Sequence, residues 1–144
     1  MARGCTLLLF YILLVNLAVQ DYKERKISNR YSIVILCLSF LSMPIFSEIT
    51  PGMRVVGMLA VSIPMAVLGI CFSGSFGGGD VKLAFVCGAF LGWRRLIKGM
   101  VYAICFAAVY SLWLLFIKKE GKNVQFALGP FLSAGFILSS FAFI

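Results

Sequence analysis

The sequence contains no histidine and only five acidic residues, against thirteen lysines and arginines. Without histidine, neither a Ser-His-Asp triad nor a histidine-ligated metal centre can be built. The five cysteines show no CxxC spacing and lie in apolar runs, which favours packing over zinc binding or disulfides. The glycine run at 77–79 is not part of a GxxxxGK or GxGxxG phosphate loop. We therefore expect neither a metal nor a cofactor.

Polar residues of every kind are scarce in this chain. It is 62% hydrophobic and 12% charged, with a mean hydropathy of +1.03. Such a chain of 144 residues has more apolar surface than one small soluble core can bury, which indicates an integral membrane protein. Runs of about bilayer length predict an all-α, polytopic fold of one domain over residues 1–144. The six predicted spans are 4–20, 31–47, 55–73, 81–93, 98–117 and 124–144.

The distribution of lysine and arginine predicts the orientation of these spans. More of them fall in the loops after the first, third and fifth spans than on the opposite side. The positive-inside rule therefore places these three loops in the cytoplasm and both termini outside, although the "RRLIK" at 94–98 favours the reverse. The net charge of +8 is explained by this rule and by anionic lipid, so we expect no nucleic-acid partner.

Asp80 follows the glycine run in "SFGGGDVKLAF" and is difficult to explain as an ordinary loop charge. A helix over 81–93 covers only about 20 Å of a bilayer core roughly 30 Å thick. We therefore expect irregular backbone at Gly77, Gly78 and Gly79 to extend below the membrane surface, with Asp80 in a wet cavity at the start of the helix. The plainer alternative is that Asp80 only caps this helix after a glycine-rich turn.

Asp21 ends the first span on the same predicted cytoplasmic face as Asp80. Two carboxylates that share one proton can hydrolyse a peptide without a metal or a nucleophile, because one activates water while the other polarises the carbonyl. On the residues alone, however, Asp21 with Lys23 and Arg25 beside it is more simply explained as a solvated loop charge. A further possibility is a small transporter or assembly factor that uses Asp80 as an ion or proton site.

Small residues in the later spans indicate close helix packing. They continue a small-xxx-small spacing, which lets helices approach one another closely. These residues are Gly88, Gly92, Gly99, Ala103 and Ala107. Pro130 lies inside the last predicted span, where we expect it to kink the helix.

Three segments together resemble the type IV prepilin peptidases. "FGGGDVKL" is similar to the GxGD signature of that family, with Gly77, Gly79 and Asp80 in the motif positions. "DYKERKISN" at 21–29 resembles the family's first acidic motif, with Ser28 where the family has proline. "GPFLSAG" at 129–135 is similar to a C-terminal Gly-Pro-Phe segment. The resemblance covers essentially the whole chain.

The resemblance implies an aspartic endopeptidase of the cytoplasmic (inner) membrane. Its substrates would be prepilin or pseudopilin precursors, from which it removes the basic leader at the cytoplasmic face for pilus assembly or secretion. Asp21 and Asp80 would be the catalytic pair, and the glycines at 77–79 would let the substrate backbone approach. Lys82 would tune the pair or bind a lipid phosphate, and the plainer alternative is that its long side chain only extends to the membrane surface. Larger family members add a region with paired CxxC motifs and methylate the product, so we expect the short form, without methyltransferase activity.

Overall fold

The computed structural model describes residues 2–24, 29–71, 78–114, 116 and 128–141, and within these ranges it contains helices and turns but no β-strand. The helices are α1 (Ala2–Glu24), α2 (Asn29–Leu41), α3 (Pro51–Cys71), α4 (Gly78–Trp113) and α5 (Gly129–Ser140). By length and apolar composition α1, α3 and α4 are able to cross a membrane, while α2 and α5 are shorter apolar helices. The all-α class is confirmed, and the number of six spans stays a prediction.

Large apolar side chains cover the outside of the helices. Ile12 of α1, Ile70 of α3 and Val109 of α4 are 60%, 81% and 67% exposed. In water, an apolar surface of this extent would drive association, whereas lipid tails solvate it at no cost. The outward-facing surface therefore agrees with the membrane environment that the composition predicts.

α1 and α5 run antiparallel to each other. The backbone N–H of Gly129, at the start of α5, donates to the Asp21 carboxylate near the end of α1. Farther along α5, the Ser140 hydroxyl bonds that of Tyr11, in the first half of α1. The start of α5 and the end of α1 therefore lie at the same end of the bundle.

α4 changes direction at Gly92, whose φ of 73° and ψ of 166° are not helical. A positive φ of this kind is readily adopted only by glycine. In the arm before Gly92, Lys82 bonds Asn29, which lies just beyond the end of α1. Later in the same arm, Phe90 stacks on Phe10 in the first half of α1. The first arm of α4 therefore runs antiparallel to α1.

The arm of α4 after Gly92 runs back in the opposite direction. Gly99 lies against the backbone of Gly135 late in α5, and the ring of Tyr110 contacts that of Phe131 near its start. This arm is therefore antiparallel to α5. The predicted division between the spans at 81–93 and 98–117 corresponds to this reversal, but helix resumes directly after Gly92 rather than after a loop at 94–97.

Glycines allow the helices to pack backbone against backbone. Gly57 of α3 and Gly88 of α4 contact each other so closely that a Cβ on either would collide with the backbone of the other. A Cβ on Gly135 would likewise lie 2.9 Å from that of Ala103. The predicted packing role of Gly88, Gly99 and Ala103 is confirmed. Gly92 differs, because its positive φ also makes the reversal possible.

Arg54 is one of the cations that the positive-inside rule assigns to the non-cytoplasmic side, but its side chain is only 1% exposed. Its Nη1 donates to the carbonyls of Ser39 and Ala89 at 3.0 Å and to the Ser39 and Ser42 hydroxyls at 3.2 Å. Arg54 therefore joins α3 to the end of α2 and to the first arm of α4.

Candidate active site

Asp21 lies on the buried face of α1. The buried residues of this helix follow one another at intervals of three and four, which is the spacing of a single helix face. They are Leu7, Phe10, Leu14, Leu17 and Asp21. Asp21 is only 7% exposed, so the interpretation of this residue as a solvated loop charge is wrong. Extending the apolar spacing of α1 by one step would have predicted its burial.

The carboxylate of Asp21 is held at the start of α5. The N–H of Gly129 donates to its Oδ2 at 3.1 Å. The first N–H groups of a helix have no partner within the helix and favour a negative charge, so this is a stabilising place for a carboxylate. Pro130 lies in the first turn of the described α5, where proline is well accommodated. Residues 124–127, where the predicted span begins, lie outside the described residues, so the predicted kink stays a prediction.

Asp80 lies in the first turn of α4 and is 9% exposed. α4 begins at Gly78, so Gly78 and Gly79 are already helical. The expected irregular backbone is therefore wrong for these two glycines, while Gly77 lies outside the described residues. The expected place of Asp80 at the start of a helix is confirmed, while the expected wet cavity around it stays a prediction.

The two acids lie at the same end of the bundle. The rings of Phe10 and Phe90 stack with their centroids 4.1 Å apart, which fixes α1 and the first arm of α4 at a common level. Asp21 follows Phe10 by eleven residues and Asp80 precedes Phe90 by ten, which is about 16 Å and 15 Å of helix. Because these helix segments are antiparallel, both displacements point the same way. Asp21 and Asp80 are therefore at matched depth.

Lys82 connects the two sequence motifs. Its exposed Nζ donates to the Oδ1 of Asn29 at 3.0 Å, and Asn29 is the last residue of "DYKERKISN". This hydrogen bond ties the start of α4 to the start of α2, next to the acid end of α1. Residues 25–28, between Asp21 and Asn29, lie outside the described part of the chain. The expected influence of Lys82 on the acid pair stays a prediction.

Among the described residues no three histidine, cysteine, aspartate or glutamate side chains form a group suited to a metal ion. Cys87 is buried in the first arm of α4, and the other four cysteines are exposed and free of disulfides. The two buried carboxylates, Asp21 and Asp80, therefore stay the candidate reactive groups of the described residues.

Within the described residues the fold is helical, with three helices long and apolar enough to cross a membrane and two buried acids near one end. The model of the type IV leader peptidase family matches residues 8–112, which include both Asp21 and Asp80. The chain belongs to this family. The resemblance found in its sequence motifs is thereby confirmed.

A curated relative gives the same result. The chain is 30% identical over 132 residues to the prepilin leader peptidase/N-methyltransferase of Bacillus subtilis (strain 168). The match covers 90% of this chain and 52% of the relative, so the chain spans about half the length of that protein. No solved structure matches the chain.

Proposed function

We propose that this protein is an aspartic endopeptidase that removes the basic leader from type IV prepilin or pseudopilin precursors. The observation that carries the proposal is the burial of Asp21 and Asp80 at matched depth at one end of the bundle. Membership of the leader peptidase family supports the same activity. Burying two acids in a membrane protein is costly, and such a cost is usually associated with function.

The proposed reaction divides the work between the two carboxyl groups. Two acids held close share one proton, because like charges destabilise the doubly ionised pair. The ionised carboxylate takes a proton from water as the water oxygen attacks the scissile carbonyl carbon. The protonated partner donates a hydrogen bond to the carbonyl oxygen. The C–N bond then breaks, and the leaving amine receives a proton from the pair.

The start of α4 is where we expect a substrate to approach Asp80. A Cβ built on Gly78 would meet no atom of the described residues within 4 Å. Because glycine has no side chain, another backbone can approach it more closely than it can approach any other residue. We assign the approach of the substrate backbone to Gly77, Gly78 and Gly79.

The location follows from the charge pattern and the apolar surface. We place the protein in the cytoplasmic membrane, with Asp21 and Asp80 facing the cytoplasm, because the cation-rich loops adjoin this end. The basic leader of a precursor would lie at the same face. Membrane lipids are the expected environment, and the proposal covers peptidase activity without methylation of the product.

The decisive experiment is co-expression with a candidate precursor, with loss of the leader followed by mass. We expect cleavage by the wild type and a loss of at least about 1,000-fold in both Asp21→Asn and Asp80→Asn, because neither acid can do the work of the pair alone. Glu24→Gln is the matched control, because Glu24 is an exposed acid on the same helix as Asp21. Full cleavage by either Asn variant would contradict the dyad. No cleavage even by the wild type would favour the alternative of an ion or proton site at Asp80, which an ion-flux assay would then test.

A further inference from the structure

Gly129 contacts Asp21 in two ways. Its N–H donates to Oδ2, and its Cα lies so close to the carboxyl group that no side chain fits between them. A Cβ on Gly129 would lie 2.7 Å from Cγ and 3.0 Å from Cβ of Asp21, and would also collide with Oδ2. Real Cβ atoms do not approach other heavy atoms this closely. Any other residue at 129 would therefore displace the Asp21 carboxyl group.

The N–H of Gly129 is itself held in place by the helix that it begins. α5 is fixed against α1 by the hydrogen bond between Ser140 and Tyr11. It is fixed against the second arm of α4 where Gly135 meets the backbone of Gly99. A donor on a helix packed on two sides has little freedom to follow a moving side chain. Gly129 therefore gives Oδ2 a defined position.

Fixing one carboxylate oxygen also fixes the other. A carboxylate is planar, so an anchored Oδ2 and a buried Cβ determine the direction in which Oδ1 points. Proton transfer requires the reacting oxygen to be within hydrogen-bond reach of water or of the other acid. The position of Oδ1 therefore depends on a residue 108 positions away in the sequence.

We propose that Gly129 is a positioning residue of the active site, which acts on the reaction through Asp21. This inference rests on the proposed peptidase function. Gly129 begins the segment at 129–135 that resembles the family's C-terminal Gly-Pro-Phe segment, to which that resemblance gives no role. Gly129→Ala inserts the Cβ that the site excludes and leaves both acids in the chain.

The kinetic test compares Gly129→Ala with two other glycine-to-alanine variants. We expect kcat to fall by about 100-fold, because a misplacement of 1 Å costs this much, while KM changes less than about threefold. Gly52→Ala is one neutral control, since its Cβ meets no atom of the described residues within 4 Å. Gly4→Ala, far from Asp21 on the same helix, is the second, since a Cβ there also meets no described atom within 4 Å, and it should leave both the folded fraction and kcat unchanged. A kcat of Gly129→Ala within twofold of wild type would overturn the proposal.

The second test measures the contact without relying on cleavage. Thermal midpoints in detergent are compared for wild type, Gly129→Ala, Asp21→Ala and the double variant. We expect Gly129→Ala to lower Tm by about 4 °C or more in the wild-type background and by less than about 1 °C beside Asp21→Ala, since the colliding carboxyl group is then absent.

The two tests separate this inference from the peptidase function. If the wild type cleaves no precursor, the proposed function fails while the thermal cycle still reports the contact. Equal Tm losses in both backgrounds would overturn the inference. If Gly129→Ala does not accumulate, the double variant must do so, and its failure to accumulate would equally overturn the inference.

Discussion

Both ends of the helical bundle contain buried charged side chains, but the contacts of these side chains differ between the two ends. At one end Arg54 donates to two carbonyls and two hydroxyls and joins three helices. At the other end Asp21 accepts a backbone hydrogen bond through Oδ2, and Asp80 lies in the first turn of α4. Arg54 links three helices through Nη1, whereas the chemistry proposed above belongs to the two acids.

A cavity lies at the end of the bundle away from the acids. It has a volume of about 300 Å³, is found where α3 begins and α4 reverses, and its lining includes Glu48, Trp93, Arg94 and Lys98. This is the Arg54 end of the bundle. The proposed site rests on the burial and the level of its carboxylates and not on this cavity.

Arg54→Met should give the largest effect on stability. The substitution leaves buried hydroxyl and carbonyl acceptors without their shared donor, and we expect the free energy of unfolding to fall by about 1–3 kcal/mol. Cleavage per folded molecule should stay within about twofold, because Arg54 lies away from the acids. Thermal melts and cleavage rates on the same preparations measure both quantities.

The matched control for Arg54 is Arg94→Met, in which an exposed cation is removed at the same end. It should change stability by less than about 0.5 kcal/mol. If Arg54→Met melted like wild type but lost cleavage, the division between a structural end and a reactive end would be wrong.

Lys82→Ala should give the smallest effect. It removes one exposed hydrogen bond to Asn29, and we expect kcat/KM for leader removal to fall by about threefold, which matches a hydrogen bond worth roughly 0.6 kcal/mol. Lys23→Ala removes another exposed cation at the same end and should have no effect. A loss of more than about 100-fold would instead place Lys82 among the groups that tune the acid pair.

Much of the fold follows from local sequence patterns. Hydropathy predicts α1 and α3 closely, and the three-and-four spacing that ends at Asp21 is visible in the sequence. The exact turn between the arms of α4 is not predictable in this way. The charged "RRLIK" suggests a loop at 94–97, whereas the reversal requires only the backbone freedom of Gly92.

The site is less predictable than the helices. The motifs identify Asp21 and Asp80 as candidates, because acids are rare in this chain. The contact between Asp21 and Gly129 has no local signal, since it depends on how α5 packs against α1. Pro130 illustrates the same difficulty: a proline in an apolar run suggests a kink, and only the structure places it in the first turn of the described α5.

The most direct measurement of the central claim, that Asp21 and Asp80 face one site, is cross-linking. Both residues are replaced by cysteine in a chain whose five native cysteines are changed to alanine, and a short thiol-specific cross-linker is added in membranes. We expect efficient cross-linking between positions 21 and 80. We expect none between position 21 and a cysteine that replaces Ile45, whose carbonyl accepts a hydrogen bond from Arg3 at the opposite end of α1. Absence of a 21–80 cross-link, or equal yields for both pairs, would contradict a shared acid site.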